Sequence, residues 1–442
     1  MKIYRSENCL FPRFVSHGGM SDTLSDILSD ILKASSALVF ILVLLTGLFY
    51  AKSAGAYKIG HLEFNILSED ERTVDVGWEE RPPSPHHGFR TDSIIIPPAV
   101  TINNKEYRVT QIRKNGFDEL ICDYIDIPSS VEVINQSAFE KLAVDTIILK
   151  PGLREIGKSA FSGSWVRYCS VPNTVEIIND FAWKKCWRLE TIDWPQNLTV
   201  IPDHCFHYCS RLKFDFKNIT KIGWSAFSSN EEMEQIYFPA GIHIGDGAFS
   251  CSHAKQITFE PGPTFIGYQS FLSSDELEEL ELPEGITVDY DAFIFCNNLK
   301  RLVIHDNVTF ILGSGTFNST PDYQDDEHPN GYIIERIVYL AKNPQSLSQS
   351  MFSDATYLDG NLYVLPEAYE TAKVTEPWSL FENIYPISDG VQQVVNSQQE
   401  FETQSEILFD LQGRKVDSEL DNLNPGVYIS IKGNNRSKII VR

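Results

Sequence analysis

The sequence predicts a β-rich repeat solenoid, and three periodic features predict it. An aromatic residue recurs as Phe117, Phe139, Phe161, Trp183, Phe206, Phe227, Phe249, Phe271, Phe293 and Phe317, at spacings of 21 to 24 and mostly 22 residues. The residue before it is usually Ala: Ala138, Ala160, Ala182, Ala226, Ala248, Ala292. Some ten residues upstream a Pro often recurs, as at Pro128, Pro151, Pro172, Pro195, Pro239, Pro261 and Pro283. A period held this long is the mark of stacked supersecondary units rather than of separate globular domains.

Each part of the unit has a physical reading. Residues 124–128 (YIDIP) and 279–283 (ELELP) alternate apolar and polar and then stop at Pro. That is a short half-buried strand, ended by a residue that cannot donate to a ladder. Val or Ile follows, as in 131–134 (VEVI) and 153–157 (LREIG). The stretch from Ile-Gly to Ala-aromatic is too short for a helix, so a turn or a brief 3₁₀ piece is expected. One unit cannot bury its own apolar residues. Stacking puts Ile on Ile and Phe on Phe, giving one continuous core with a parallel sheet along one side. The aromatic ladder is thus read as core, not as a ligand stripe.

Residues 183–206 carry the fullest version of the unit, with Cys186, Leu189, Ile192, Pro195, Cys205 and Phe206 in place. This order (strand, Pro, Val-x-x-Ile-Gly, x-x-Ala-Phe, x-x-Cys-x-x-Leu) resembles the BspA-type leucine-rich repeat of bacterial surface proteins. Residues 64–76, 94–97 and 107–112 resemble that family's N-terminal segment, and 362–369 with 378–384 its closing segment. The resemblance covers residues 57–387. It implies a leucine-rich repeat solenoid of about ten 22-residue units between caps. It also implies adhesion, since described members bind host matrix proteins or other cells.

The expected organisation follows. Residues 1–56 form a leader: residues 37–50 (ALVFILVLLTGLFY) are apolar, and Ala54 and Ala56 give the small-x-small pattern of a signal peptidase site. The apolar run is short of the ~20 residues a permanent span needs, although an uncleaved anchor or a start at Met20 stays open. Residues 57–93 form an N-terminal cap, 94–320 the solenoid, and 321–331 (PDYQDDEHPNG) a protruding acidic loop. Asp322, Asp325, Asp326 and Glu327 lack the spacing of a calcium loop. Residues 332–387 give the last repeat and C-terminal cap, and the Gln-rich 388–405 a linker. Residues 406–442 read as three short strands; Asp410 to Val416, then Pro425 to Tyr428, resemble the C-terminal sorting domain of the type IX secretion system. Its presence implies surface attachment or removal on export, in a Gram-negative bacterium.

A net charge of −23 with no basic run argues against nucleic acid as a partner. No nucleophile elbow, zincin, phosphate-loop or dinucleotide motif occurs. The one tempting cluster is His204, Cys205, His207 and Cys209. In register, Cys205 takes the Ala position and Cys209 matches Cys186 and Cys296, places for a small buried residue, while His204 and His207 are expected to face solvent. No catalytic residue, metal or cofactor is assigned. Seven of the eight Cys lie beyond the leader, an odd number that argues against a disulfide framework.

Function is then expected in a binding face. Two side chains of each strand alternate outward. One row is Tyr124, Thr146, Tyr168, Thr191, Lys213, Gln235, Gln256, Glu279, Arg301 and Arg336; the other is Asp126, Ile148, Ser170, Asp193, Asp215, Tyr237, Thr258, Glu281, Val303 and Val338. Tyr124, Asp126, Tyr168, Asp193, Asp215 and Tyr237 are the candidate contacts for a protein ligand, bound by a monomer. Two alternatives remain: an envelope scaffold without a host ligand, and a glycan binder using Trp165, Trp187 or Trp194, of which Trp194 is expected in the core.

Overall fold

The computed structural model describes residues 56–78, 89–311, 314–320 and 330–387, with four strands between residues 407 and 441. The chain is a parallel β-solenoid with little helix, as its periodicity predicts. Along one side run the strands that end near Pro. Thr146–Ile148, Tyr168–Ser170 and Thr191–Asp193 pair in parallel, Tyr168 opposite Thr146 on one edge and Thr191 on the other. Further along, Gln235–Phe238 pairs with Gln256–Phe259. Glu279–Leu282, Arg301–Ile304, Arg336–Tyr339, Asn361–Val364 and Asn383–Pro386 then continue the same side.

A second parallel ladder, absent from the sequence reading, runs through the Val-x-x-Ile segments. Its strands are two residues long, such as Val133–Ile134, Glu155–Ile156 and Ile177–Ile178. It resumes at Val200–Ile201 and continues to Thr309–Phe310. One residue of each pair points inward, and Ile134, Ile156, Ile201, Ile222 and Ile244 are wholly buried.

Both ladders are interrupted in the same place. The Trp183 to Phe206 unit has 23 residues and the next has 21, so a residue is gained and then lost against the 22-residue rise. The second ladder breaks between Ile178 and Val200, and the first, which also breaks between Asp126 and Thr146 and between Phe259 and Glu279, between Asp193 and Gln235. There the inward positions hold Trp194, Phe214 and Phe216, which pack on Phe206 and Phe227.

The third side is built from turns. Phe139 stacks on Phe117 at 5.6 Å between centroids and on Phe161 at 5.4 Å, within the 4.5–7 Å range of attractive ring pairs. Two residues before and two after the aromatic, the backbone is left-handed: Ser137 and Lys141 flank Phe139, and Phe181 and Lys185 flank Trp183. The alternation turns peptide groups toward the next coil. The N–H groups of Ser137, Phe139 and Lys141 donate to Lys158, Ala160 and Ser162, while those of Ala138 and Glu140 donate back to Asn135 and Ser137. Every buried backbone donor there is satisfied without a helix. The ring stack passes the acidic insertion, because Phe352 lies on Phe317 at 5.7 Å. That eleventh member escapes the periodic pattern because the insertion stands between them.

At the N-terminal end, Leu62–Ser68 and Thr73–Gly77 form an antiparallel hairpin, and the latter pairs in parallel with Lys105–Ile112. Ala99–Ile102 folds back on Lys105–Ile112 through Asn103 and Asn104, both left-handed as a two-residue hairpin turn requires. At the other end, Ser353 caps the helix Asp354–Asp359 by accepting from the Thr356 N–H at 3.2 Å. Trp378 is fully buried against Tyr339, 3.9 Å between ring centroids. Val303 and Val338, placed on the outward row by sequence, are buried: Ile387 packs over them with Leu340, Tyr363 and Leu365. The outer face is therefore closed off at this end by the chain's own continuation.

Ile407–Asp410, Lys415–Val416, Gly426–Lys432 and Asn435–Val441 form an antiparallel four-stranded sheet, one strand more than expected. Apart from Ala56, the leader lies outside the described residues, as does the linker; so does the acidic loop except Asn330 and Gly331. Among the described residues no helix is long and apolar enough to cross a membrane.

Candidate binding surface

Alternation fixes which side chains face outward. In Gln235–Phe238 and Glu279–Leu282 exposure runs out-in-out-in along the strand. Tyr124, Asp126, Tyr168, Asp193 and Tyr237 all lie on the outer face of this side of the coil, at different turns. Asp215 departs from expectation. Residues 213–215 make no strand, and the Asp215 carboxylate turns to its own loop, accepting from the Lys217 N–H at 3.1 Å and pairing with its ammonium at 3.2 Å.

Most polar groups of the face are tied to a neighbouring turn. The Tyr168 hydroxyl donates to Asp193, and the Tyr237 hydroxyl to Glu260. These bonds hold the phenol protons, so Tyr168 sits above its ordinary pKa and Tyr237 is pushed up to about 12. Lys150 pairs with Asp126, and Arg167 grips Glu190 through two bonds of 3.1 Å. Toward the C-terminal end the face becomes acidic, with Glu278, Glu279 and Glu281 exposed. His305 sits 2.7 Å from Glu281, and that hydrogen bond holds the carboxyl below the usual range.

The N-terminal end is different. Ile95, Tyr124 and Ile148 are 63%, 54% and 61% exposed. Ile95 lies beside Asp126 in strand register, and Tyr124 beside Ser93. Adjacent strands lie ~4.8 Å apart, so Ile95 and Tyr124 are diagonal neighbours on the outer face, and Ile148 is exposed on the next turn. Ile95 was missed because residues 94–97 were read as part of the N-terminal segment and not as a regular repeat strand. Its signal was present: Ile95 stands two residues before Pro97, as Asp126 stands before Pro128.

The His-Cys cluster resolves into core. Cys205 and Cys209 are fully buried free thiols, and Cys209 Sγ donates to the Trp183 carbonyl at 3.0 Å. His207 does not face solvent. It is buried with Nδ1 3.4 Å from that of His204, and burial, with Lys184 nearby, lowers its pKa to about 4. The turn that carries it closes over the ring because residues 206–209 lie between two stacked coils. Among the described residues no group of three His, Cys, Asp or Glu is arranged to hold a metal. Of the Trp candidates, Trp194 packs against Trp183 and Phe206, whereas Trp165 and Trp187 are 49% and 55% exposed.

No curated protein matches the chain. Among solved structures it is similar to the pneumococcal vaccine antigen PcpA, with 13% identity over 75% of this chain and 98% of that one, and a TM-score of 0.39. A leucine-rich repeat protein from Bacteroides ovatus aligns at 18% identity over 70% and 99%, with a TM-score of 0.27. The leucine-rich repeat protein of T. pallidum aligns at 21% over 60% and 91%, with a TM-score of 0.23. Residues 110–234 and 201–324 match the family described as the BspA type leucine rich repeat region, in six copies.

Proposed function

We propose that the protein is displayed at the cell surface and binds a protein partner through the outer face of its long sheet. The observation that carries this reading is the exposure of Ile95, Tyr124 and Ile148 on the outer face of three successive turns. Exposed apolar and Tyr side chains that lie together on a rigid face are the composition of an interface centre. Tyr168, Asp193 and Tyr237 extend the face with polar groups held in place by their neighbours, a rim rather than a hot spot. The leader pattern at residues 37–56 supports export. The four-stranded sheet between 407 and 441 is assigned the sorting or attachment role, in the Gram-negative setting that its resemblance implies. The partner is an extracellular-matrix or cell-surface protein, and the solenoid acts as a monomer with no cofactor.

The test is binding of the full chain to an array of matrix proteins, bacterial surface proteins and glycans at physiological salt. The proposal expects saturable binding to a protein that is lost in an Ile95→Ser, Tyr124→Ser, Ile148→Ser variant and weakened in a Tyr168→Ala, Asp193→Ala, Tyr237→Ala variant. All six side chains lie on the outer face, so neither variant opens the core. No binding to any protein would overturn the proposal and favour an envelope scaffold.

A further inference from the structure

A second surface lies on the turn side of the coil, away from the outer sheet face. A recess of about 900 Å³ opens across the turns of Phe139, Phe161 and Trp183. Its origin is legible in the repeat. Two residues after the aromatic, the flanking turns carry Lys141 and Lys185, but the middle turn carries Gly163, left-handed at φ +69°. The missing side chain leaves the hollow. Trp165 and Trp187 hold the same place on neighbouring turns, four residues after the aromatic, and both indoles line the hollow while exposed to solvent. The volume lies within the ~300–1,000 Å³ of small-ligand sites.

The charge of this recess opposes that of the protein. The chain carries −23 overall, yet Lys141, Lys158, Lys184 and Lys185 line the hollow against only Glu119 and Glu140. Lys158 and Lys184 both sit over the Phe181 ring, each 5.0 Å from its centroid, and Arg188 lies over Trp165 at 5.8 Å. Lys141 is neutralised by Glu119 at 2.8 Å. Among the described residues, no ion pair engages Lys158, Lys184, Lys185 or Arg188 with a carboxylate, although most other cations of the coil have one. Burial and the neighbouring Lys185 hold Lys184 below its ordinary pKa, so an anion arriving here relieves a repulsion already present.

We propose that this recess binds an acidic polysaccharide, a chain of pyranose rings bearing uronate carboxylates. The indole faces are electron-rich and stack on the weakly positive C–H faces of sugar rings. The ammonium groups supply charge-assisted hydrogen bonds to carboxylates. Trp165 and Trp187 give the platform, and Lys158, Lys184 and Lys185 the selectivity for acid over neutral sugar. The Lys cluster does not suit a protein interface centre, from which Lys is depleted. The site is separate from the Ile95, Tyr124 and Ile148 face.

The test is calorimetric titration of the full chain with four probes: oligogalacturonate, a heparin tetrasaccharide, cellotetraose and polyacrylate. Expected is saturable binding of oligogalacturonate that falls at least tenfold in Trp165→Ala, Trp187→Ala, and in Lys158→Gln, Lys184→Gln. The Ile95→Ser, Tyr124→Ser, Ile148→Ser variant keeps it, which separates this site from the protein-binding face. Cellotetraose is expected to bind at least tenfold more weakly. No binding of oligogalacturonate overturns the proposal, as does binding that the Trp pair does not affect or that polyacrylate matches, since either means charge alone. A heparin fragment that binds while oligogalacturonate does not replaces uronate by sulfate as the recognised group and overturns the proposal as stated.

Discussion

The ring of Phe161 lies on the indole of Trp183 with 5.5 Å between centroids and 9° between planes. Trp thus occupies a slot built for Phe, and its larger ring system is fully buried with Nε1 lacking a hydrogen-bond partner among the described residues. Two effects oppose each other on replacement by Phe. Removing an unsatisfied buried donor recovers about 1–3 kcal/mol, and the small void left behind costs a similar amount. Trp183→Phe is therefore expected to stay within about 1 kcal/mol of the parent, whereas Phe161→Ala, which leaves a void inside the stack, costs about 3–5 kcal/mol. Urea midpoints of the two variants check this. A Phe161→Ala loss below about 1 kcal/mol would show that the ladder contributes little to stability.

That slot also shows why so much of the fold is readable from sequence. The aromatic, the preceding Ala and the buried Ile of each turn face the core at fixed places, and burial restricts their chemistry, so the period is visible. Features set by pairing between turns are less so. The Val-x-x-Ile ladder needs only two residues per turn, below the length at which alternation announces a strand. Phe352 is hidden behind an insertion, and Val303 and Val338 follow the outward alternation but are covered by Ile387, 49 residues beyond Val338. Of the candidate site residues, those on regular strands were readable from alternation. Asp215 was not, because residues 213–215 make no strand and its carboxylate turns to Lys217. The Trp165 and Trp187 recess was not legible as a hollow, since it lies between turns, with Gly163 on one turn set against Lys141 and Lys185 on the turns beside it.

The left-handed positions carry a prediction of their own. Ser159 has φ 56° two residues before Phe161, and left-handed backbone costs a non-glycine residue about 1–2 kcal/mol. Glycine removes that cost but loses about 0.5–1 kcal/mol through greater freedom in the unfolded chain. Ser159→Gly is expected to raise stability by up to about 1 kcal/mol. Ser159→Val, branched at Cβ, is expected to lower it by about 1–3 kcal/mol. Denaturant melts of the pair report the sign, and equal midpoints would mean that the turn relaxes to accept either residue.

Arg113 and Asp75 lock the first hairpin onto the coil. Nη2 and Nε of Arg113 donate to one Asp75 oxygen at 2.8 and 3.0 Å, and each side chain is only 12% exposed. Removing one partner strands a buried charge, so Arg113→Met is expected to cost about 3–5 kcal/mol. Replacing both with apolar residues removes that penalty, and Arg113→Met, Asp75→Leu should recover most of the loss. Hydrogen exchange would place the effect: faster exchange across residues 62–77 and 105–112 is expected in the single variant. Independent, additive effects of the two substitutions would mean that the pair is not coupled.

His207 gives the coil a pH dependence whose direction follows from its surroundings. Burial, Lys184 and His204 together bring its pKa from 6.5 to about 4, and His204 is itself lowered by burial. Between those values the unfolded chain holds a proton at this position that the folded chain does not, so stability rises with pH. The contribution is fully present above about pH 6.5 and is lost as pH falls toward 4. Gln retains a donor for the Ser225 backbone but has no proton to gain. His207→Gln is therefore expected to show a smaller drop in urea midpoint than the parent between pH 7.5 and 4.5. Parallel drops would show that the ring is protonated as readily in the folded coil as in the unfolded chain, and that the acid sensitivity arises from carboxylates elsewhere.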